Sequence, residues 1–358
     1  MSVRTIDRKT VAIYFSGKRR RIFSLLGLTI LLLLVILLAI SVGSVQIPFP
    51  TTCQVLLDQL PFIDYGRTLQ SNIGTILLEI RLPRVILAGL VGAALATAGA
   101  TYQGLFRNPL ADPYLIGVAQ GASLGAVIGF LLPFNWLNLG FNIIPMLAFM
   151  GALLATGFVY GLARVGKIVP VTTLILAGVA LGALLSSIVS YLIISSGEKM
   201  HSIIFWLMGS FAMSQWVEVG IVLPYVAMGT AVIIVFARSL NIMQLDEEQA
   251  QQLGLNVERL KLILLAAATL ITAASVSFVG TIGFVGIITP HAVRLIWGAD
   301  HRYLLPLSVL VGAIFMILAD MLARTALSPA EIPIGVITAI CGAPFFLYLL
   351  RRRKKAIF

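Results

Sequence analysis

The sequence predicts an all-α integral membrane protein with ten transmembrane helices, on three observations. Hydrophobic residues make up 59% of its 358 residues and charged residues 11%, whereas an ordinary soluble domain is about a quarter charged. Charge-free stretches recur at the length of roughly 20 residues that a helix needs to span a bilayer. The Lys and Arg residues behind the net charge of +11 lie in clusters between these stretches. A soluble enzyme and a nucleic-acid-binding module are therefore excluded.

The first span is predicted from residue 22 to about residue 45. The basic run at 18–21 precedes it, as in a signal peptide. However, the apolar stretch is longer than a signal core of about 7–15 residues, and no Ala-x-Ala site follows it. We therefore expect a retained helix behind a basic cytoplasmic N-terminus at 1–21. A polar segment at 46–80 follows this helix.

Nine further spans are identified by charge-free stretches and their lengths. The stretch 113–163 is long enough for two helices, divided near 133–135, and Gly280, Gly283 and Pro290 predict a break inside 262–293. A short interfacial helix is expected within 199–217, and a polar segment at 238–261. The nine spans are 85–106, two within 113–163, 168–197, 219–237, two within 262–293, 303–319 and 332–350.

The distribution of basic residues predicts the orientation of these spans. With the N-terminus inside, twenty of the 25 Lys and Arg residues fall on cytoplasmic segments, including a basic C-terminus at 351–358. A bias of this kind is what the positive-inside rule requires. We therefore expect both termini in the cytoplasm. The five exceptions on outer segments are Arg67, Arg81, Arg84, Lys199 and Arg324.

Two spans carry stripes of small residues at every fourth position. Gly117, Gly121, Gly125 and Gly129 form one stripe, which predicts a close packing ridge between helices. The second stripe begins with Gly178 and Gly182 and becomes polar towards its end. A water-filled pathway and a packing ridge are about equally well supported by this pattern. The candidate pathway-lining residues are Ser186, Ser187, Ser190 and Tyr191.

The sequence shows no motif that would power transport or catalysis within this chain. An ion-coupled carrier needs ionisable residues at mid-depth, whereas here they fall at helix ends or in loops, apart from His291. The segment 161–168 fits a phosphate-binding loop except that Ile168 stands where a Ser or Thr is required. Cys53 and Cys341 lie too far apart for a metal motif. We expect a transport subunit, not an enzyme, with no cofactor or metal of its own.

A partner must then supply the energy, and the cytoplasmic segment 241–258 is where we expect it to dock. Within it, 246–255 (DEEQAQQLGL) begins with acidic residues, which favour a helix N-terminus, and has a glycine near its end. A short helix with an apolar side would present a contact surface. A solvated loop is the alternative.

Several motifs together resemble the FecCD-type family of permease subunits, which belong to ABC importers for ferric siderophores, haem and vitamin B12. The resemblance covers about residues 76–350. The matching motifs are RLPR at 81–84, GATYQGLFRNPLADP at 99–113, LAGVALG at 176–182, WLMG at 206–209, GFVGIITPHAVR at 283–294, DHR at 300–302, ADMLAR at 319–324 and EIPIG at 331–335.

This resemblance implies a type II ABC importer permease fold for residues 22–350, in the cytoplasmic (inner) membrane of a bacterium. It also implies three kinds of partner besides the lipid bilayer, and no nucleic acid. They are a second permease subunit, identical or related, two ATPase subunits that bind ATP and Mg²⁺, and an extracytoplasmic substrate-binding protein. The driving mechanism would be alternating access.

The resemblance also assigns roles to individual residues. Arg81, Arg84 and Arg324 match arginines that dock the binding protein, with membrane-interface anchors as the alternative. The cytoplasmic gate matches Asn108, Leu110, Thr172 and Thr173, although Pro109 alone would also explain a turn. His291 and Arg294 match the family motif without a specific role. The ATPase-coupling positions are Asp246, Glu247, Gln249, Ala250, Leu253, Gly254 and Leu255.

The substrate expected from the resemblance is a metal chelate, most commonly a ferric siderophore. Importers of vitamin B12, haem or molybdate/tungstate share the architecture and remain alternatives. An ion-coupled secondary transporter and an integral membrane enzyme are the alternatives from other classes. Because the chelate carries its own ligands, we expect no residue of this chain to coordinate the metal.

Overall fold

The computed structural model describes residues 8–43, 45–59, 71–132 and 142–354. Within them the chain forms fifteen α-helices. Arg67, the division at 133–135, residues 1–7 and residues 355–358 lie outside the described residues. The helices are α1 Arg8–Ser41, α2 Phe49–Leu57, α3 Ser71–Thr75, α4 Leu82–Leu105, α5 Val118–Leu131, α6 Ile143–Ala163, α7 Val171–Ile194, α8 Met200–Leu207, α9 Trp216–Val235, α10 Ala237–Ile242, α11 Glu247–Gln252, α12 Val257–Val279, α13 Val285–Trp297, α14 His301–Thr325 and α15 Ile334–Lys354.

Seven of the described helices are long and apolar enough to cross a membrane, namely those that contain α1, α4, α6, α7, α9, α12 and α14. The apolar helices α5, α13 and α15 are shorter. Each of the ten predicted spans coincides with one of these helices. The all-helical membrane class is therefore confirmed for the described residues, while ten as the number of crossings stays a prediction.

The N-terminal third differs from the sequence prediction in two ways. α1 begins at Arg8, well before the expected start at residue 22. The expected polar segment 46–80 contains α2, α3 and a π-helical turn from Ile76 to Arg81. Pro83 accounts for the wide turn, because its ring lacks a hydrogen-bond donor and collides with the carbonyl four residues earlier.

α4 is the central helix, and nearly all its side chains are buried. Glycines allow its neighbours to approach: a Cβ on Gly92 would collide with the backbone of Gly312 in α14, and one on Gly99 with Gly286 in α13. The predicted glycine ridge of α5 packs in the same manner, because Gly121 and Gly151 face each other across α5 and α6. The packing interpretation of that ridge is confirmed.

The predicted break inside 262–293 lies between α12 and α13. Gly280 has φ 77° and Phe284 φ 70°, left-handed values that end one helix and redirect the chain. Ser210 N donates to Val279 O, which joins this break to the segment after α8, and Ile334 N donates to Gly209 O, which joins α15 to the same segment. The break thus anchors the short helices at one end of the bundle.

α4 also separates two groups of charged residues. Its 24 residues span about 36 Å at 1.5 Å per residue. Arg81 and Arg84 lie at its start together with Asp320, and Arg107 follows its end and pairs with Asp246. The arginines predicted outside and the segment predicted inside therefore lie at opposite ends of the bundle.

Candidate functional site

At the predicted outer end, Arg81 ties the first turn before α4 to the end of α1. Its guanidinium is buried and donates hydrogen bonds of 2.8 Å to the carbonyls of Ile40 and Ser41, and a further one to that of Val45. Carbonyls at a helix C-terminus lack helical partners and carry partial negative charge. Arg81 therefore caps α1.

Arg84, one turn further along, joins α4 to α14. It donates to Asp320 at 2.8 Å and to Glu331 at 2.8 Å. The side chains of Arg84 and Asp320 are 11% and 2% exposed, whereas Glu331 is 32% exposed. A buried guanidinium needs paired acceptors to offset its desolvation, and the two carboxylates supply them.

Arg324 completes the cluster from the end of α14. Its Nε lies 3.7 Å from Asp320, and its Nη2 donates to the carbonyl of Ala39 in α1. We call Arg81, Arg84, Asp320, Arg324 and Glu331 the outer cluster. In this conformation the three arginines are buried, and internal acceptors already hold them. A docking role itself stays a prediction.

At the opposite end of α4, the predicted gate is a tight turn. Arg107 adopts φ 50° after the helix ends. The Asn108 side chain accepts a hydrogen bond from Leu110 N at 3.0 Å, and the backbone carbonyl of Asn108 accepts one from Ala111 N. Such a side-chain turn fixes the loop locally. Leu110 is left 40% exposed, where it can contact another surface.

The chain after this turn packs against the start of α7, the other half of the predicted gate. Residues Pro113–Ile116 form a 3-10 turn, and a Cβ on Gly178 would collide with the carbonyl of Leu115. Thr173 donates to the carbonyls of Ala163 and Pro170, so it fixes the helix start. Thr172, in contrast, is exposed.

Asp112 and Tyr114 fix the gate turn to the core, a role that the sequence did not suggest. Asp112 accepts from Tyr114 N at 2.7 Å, and the Tyr114 hydroxyl donates to the carbonyl of Ile282 at 3.0 Å. Burial raises the pKa of the Asp112 carboxyl to about 6 from 3.8, with the bond from Tyr114 opposing the shift. Tyr114 therefore links the predicted gate to the break between α12 and α13.

The predicted coupling helix is present as α11. Gly254 ends it with φ 84°, and Leu255 N bonds back to the carbonyl of Ala250, a left-handed C-terminal cap. Ala250 is fully buried, while Leu253 is 64% exposed. The predicted apolar side is therefore divided, because Ala250 and Leu255 pack inward on the core and Leu253 points outward.

Two basic residues hold α11 in place. Arg107 lies 2.7 Å from Asp246, directly before α11, and both side chains are largely exposed. Lys261, in α12, is buried and binds Glu247 at 2.8 Å, Glu258 at 3.1 Å and the carbonyl of Val169 at 3.3 Å. α11 is thus connected to the end of α4 and to the segment before α7, both next to residues of the predicted gate.

The predicted pathway residues occupy an exposed face of α7. The Ser187 and Ser190 hydroxyls donate to carbonyls of their own helix at 2.9 Å each, and Tyr191 is 70% exposed. Ser186 is exposed as well. In the single chain these residues lie on its surface, and their role in a pathway stays a prediction. His291 is buried and stacks edge-on with Phe345.

The chain is similar to known proteins in both sequence and structure. The model of the FecCD transport family matches residues 31–352. The cobalamin import system permease protein BtuC of Halobacterium salinarum is 46% identical over 88% of this chain and 83% of its own length. The hemin transport system permease protein HmuU of Yersinia pestis is 38% identical over 92% and 96%. A solved inward-facing structure of a metal-chelate type ABC transporter superposes with TM-score 0.77 at 34% identity, over 92% of this chain and 98% of that one.

Proposed function

This chain belongs to the FecCD transport family, and on that premise we propose that it is the membrane permease of an ABC importer, moving a metal chelate by alternating access. The observation that carries the proposal is the contact between Arg107 and Asp246. It connects the turn that contains Asn108 and Leu110 to the exposed helix α11. Through this contact, movement of α11 would reach the turn of the gate directly.

The force comes from separate ATPase subunits, which bind ATP and Mg²⁺. Leu253 and Gln249 face outward from α11 and offer an apolar and a polar contact to such a subunit. Lys261 holds the inward side of the same helix to the start of α7. Movement of α11 would therefore shift both parts of the gate together.

A second permease subunit covers the exposed face of α7 in this proposal. Ser186, Ser187, Ser190 and Tyr191 then line a neutral pathway between the two copies. The substrate-binding protein docks at the outer cluster, where its acidic residues compete with the partly exposed Glu331 for Arg84. Neutral lining groups suit a bulky chelate that must be released as well as bound.

The family resemblance favours a ferric siderophore as the chelate. The 46% identity to a cobalamin permease favours cobalamin as the second candidate. Affinities of the cognate binding protein for ferric siderophores, cobalamin and haem, followed by uptake of the tightest ligand through the complete transporter, test the choice. Selective siderophore binding and uptake would support the first candidate, and selective cobalamin binding and uptake would replace it.

A further inference from the structure

A cavity of about 530 Å³ lies between α6, α9 and α12, within the size range of ligand pockets. Its lining comes from one half of each helix. On α6 it extends from Leu153 to Tyr160, on α9 from Met228 to Val232, and on α12 from Leu262 to Leu270. All three stretches adjoin the helix ends that carry the predicted cytoplasmic loops.

The cavity offers almost no polar group to a ligand. The Thr156 hydroxyl donates to the carbonyl of Ala152 at 3.0 Å, and the Thr269 hydroxyl lies 3.1 Å from that of Tyr102. With these two hydroxyls engaged inside the protein, the lining presents hydrocarbon apart from the Tyr160 hydroxyl. A cavity of this kind disfavours water and accepts apolar chains.

The cavity opens on the side of the helix bundle. Met228 is 62% exposed and Leu262 47% exposed at its edge. Gly157 is also exposed, and a Cβ added there would meet no atom within 4 Å. Because α6, α9 and α12 are each long and apolar enough to span a membrane, an opening on their side would face lipid acyl chains.

Basic residues follow the same three helices at the cavity's inner end. Arg164 comes four residues after Tyr160, and Arg259 comes three residues before Leu262, so one helical turn separates each from the lining. Arg238 follows the end of α9. All three are exposed, and none forms an ion pair with any residue that the structure describes.

We propose that this cavity binds an anionic phospholipid of the inner leaflet, with one acyl chain in the cavity and its phosphate group between Arg164 and Arg259. The apolar cavity matches the acyl chain of such a lipid. The two arginines, which have no ion-pair partner among the described residues, match its phosphate group. Basic pockets between transmembrane helices on the cytoplasmic side are suited to anionic head groups. The proposal concerns residues outside the gate, the coupling helix and the outer cluster.

Photo-crosslinking of the full-length chain in nanodiscs tests the proposal. The probe is phosphatidylglycerol with a diazirine in its acyl chain, and phosphatidylcholine with the same acyl chain is the matched control. Mass spectrometry of the labelled peptides should place the phosphatidylglycerol label on 153–160 and 262–270, with several-fold less label from phosphatidylcholine. Equal labelling by the two lipids, or label spread evenly over all spans, would overturn the proposal.

Two sets of variants separate the head-group contact from the acyl-chain contact. Arg164→Gln and Arg259→Gln should each reduce phosphatidylglycerol labelling roughly fivefold and leave phosphatidylcholine labelling unchanged. Gly157→Phe should fill the cavity and abolish labelling there. Gly220→Phe is its control, because Gly220 also has open space at its Cβ but lies outside the lining.

The melting temperature of each variant in detergent checks that the fold is retained, so that a loss of labelling reports on the site. The arginines could instead contact an ATPase subunit. If their replacement weakened ATPase recruitment and left lipid labelling unchanged, the proposal would be wrong. Labelling retained in a folded Gly157→Phe variant would contradict it equally.

Discussion

The guanidinium of Arg107, after the end of α4, lies 2.7 Å from the carboxylate of Asp246, directly before α11. The two residues are 139 positions apart in the chain. Their side chains are 41% and 76% exposed, so the pair contributes under about 1 kcal/mol to stability. Its significance is positional, because it connects the Asn108 turn to the helix proposed to receive force from the ATPase.

Reversal of one charge in this pair should uncouple ATP hydrolysis from transport. Arg107→Glu would repel Asp246 and leave the fold intact, because the pair is exposed. We expect fewer substrate molecules imported per ATP hydrolysed in proteoliposomes of the complete transporter. The double variant Arg107→Glu with Asp246→Arg should recover most of the ratio. An unchanged ratio in the single variant would remove the contact from the mechanism.

Leu253 should be the most sensitive position on the outward side of α11. Leu253→Glu replaces an exposed apolar contact by a charge and should lower transport-coupled ATP hydrolysis several-fold without a loss of stability. Gln252→Glu introduces the same side chain one position earlier, on the exposed surface, and serves as the control. If both variants import and hydrolyse normally, α11 does not contact the ATPase through Leu253.

The outer cluster should be required for stability. Arg84→Gln removes the closer of the two arginines that face Asp320, whose side chain is 2% exposed, and loss of one partner of a buried pair costs about 3–5 kcal/mol. The melting temperature in detergent should therefore fall strongly. Arg302→Gln breaks the partly exposed pair with Asp300 and should cost under about 1 kcal/mol. Equal, small shifts in both variants would show that the outer cluster is not closed in solution.

Asp112 should make stability depend on pH. Burial raises its pKa to about 6 in the folded state, against 3.8 ordinarily, so the folded protein binds more protons in this interval. Stability should then fall as pH rises from about 4 to about 6 and stay level above. Asp112→Asn keeps an acceptor for Tyr114 N but cannot ionise.

Melting temperatures across this pH range test the prediction for Asp112. The melting temperatures of the variant and of the natural protein should be equal at about pH 4, and that of the variant should be the higher near neutral pH. If the two curves run parallel over the whole range, the carboxyl does not have the raised pKa. Other carboxyls contribute equally to both proteins, so only the difference between the curves is informative.

Helix positions could be predicted because hydrophobic length and charge are local properties of the sequence. Gly280 and Gly283 marked the break between α12 and α13 for the same reason. α2 was not expected, because its nine residues are too few to span a bilayer and lie in a segment that includes charged residues.

The burial of Arg81, Arg84 and Arg324 could not be predicted, because it depends on residues far away in the chain. Arg84 is 236 positions from Asp320, and Arg81 is fixed by backbone carbonyls that have no sequence signature. One signal was available: an acid inside an apolar helix, as Asp320 is in α14, requires a buried partner. The coupling helix was predictable in position because its acids and its glycine lie in one short segment.

Substrate accumulation in proteoliposomes tests the central claim, that this chain is a conduit driven by other subunits. The chain alone is compared with the complete transporter, which contains the ATPase subunits and the binding protein. We expect accumulation against a gradient only in the complete transporter supplied with ATP and Mg²⁺, and no effect when ion gradients are collapsed. Accumulation by the chain alone, driven by a proton or sodium gradient, would contradict the account.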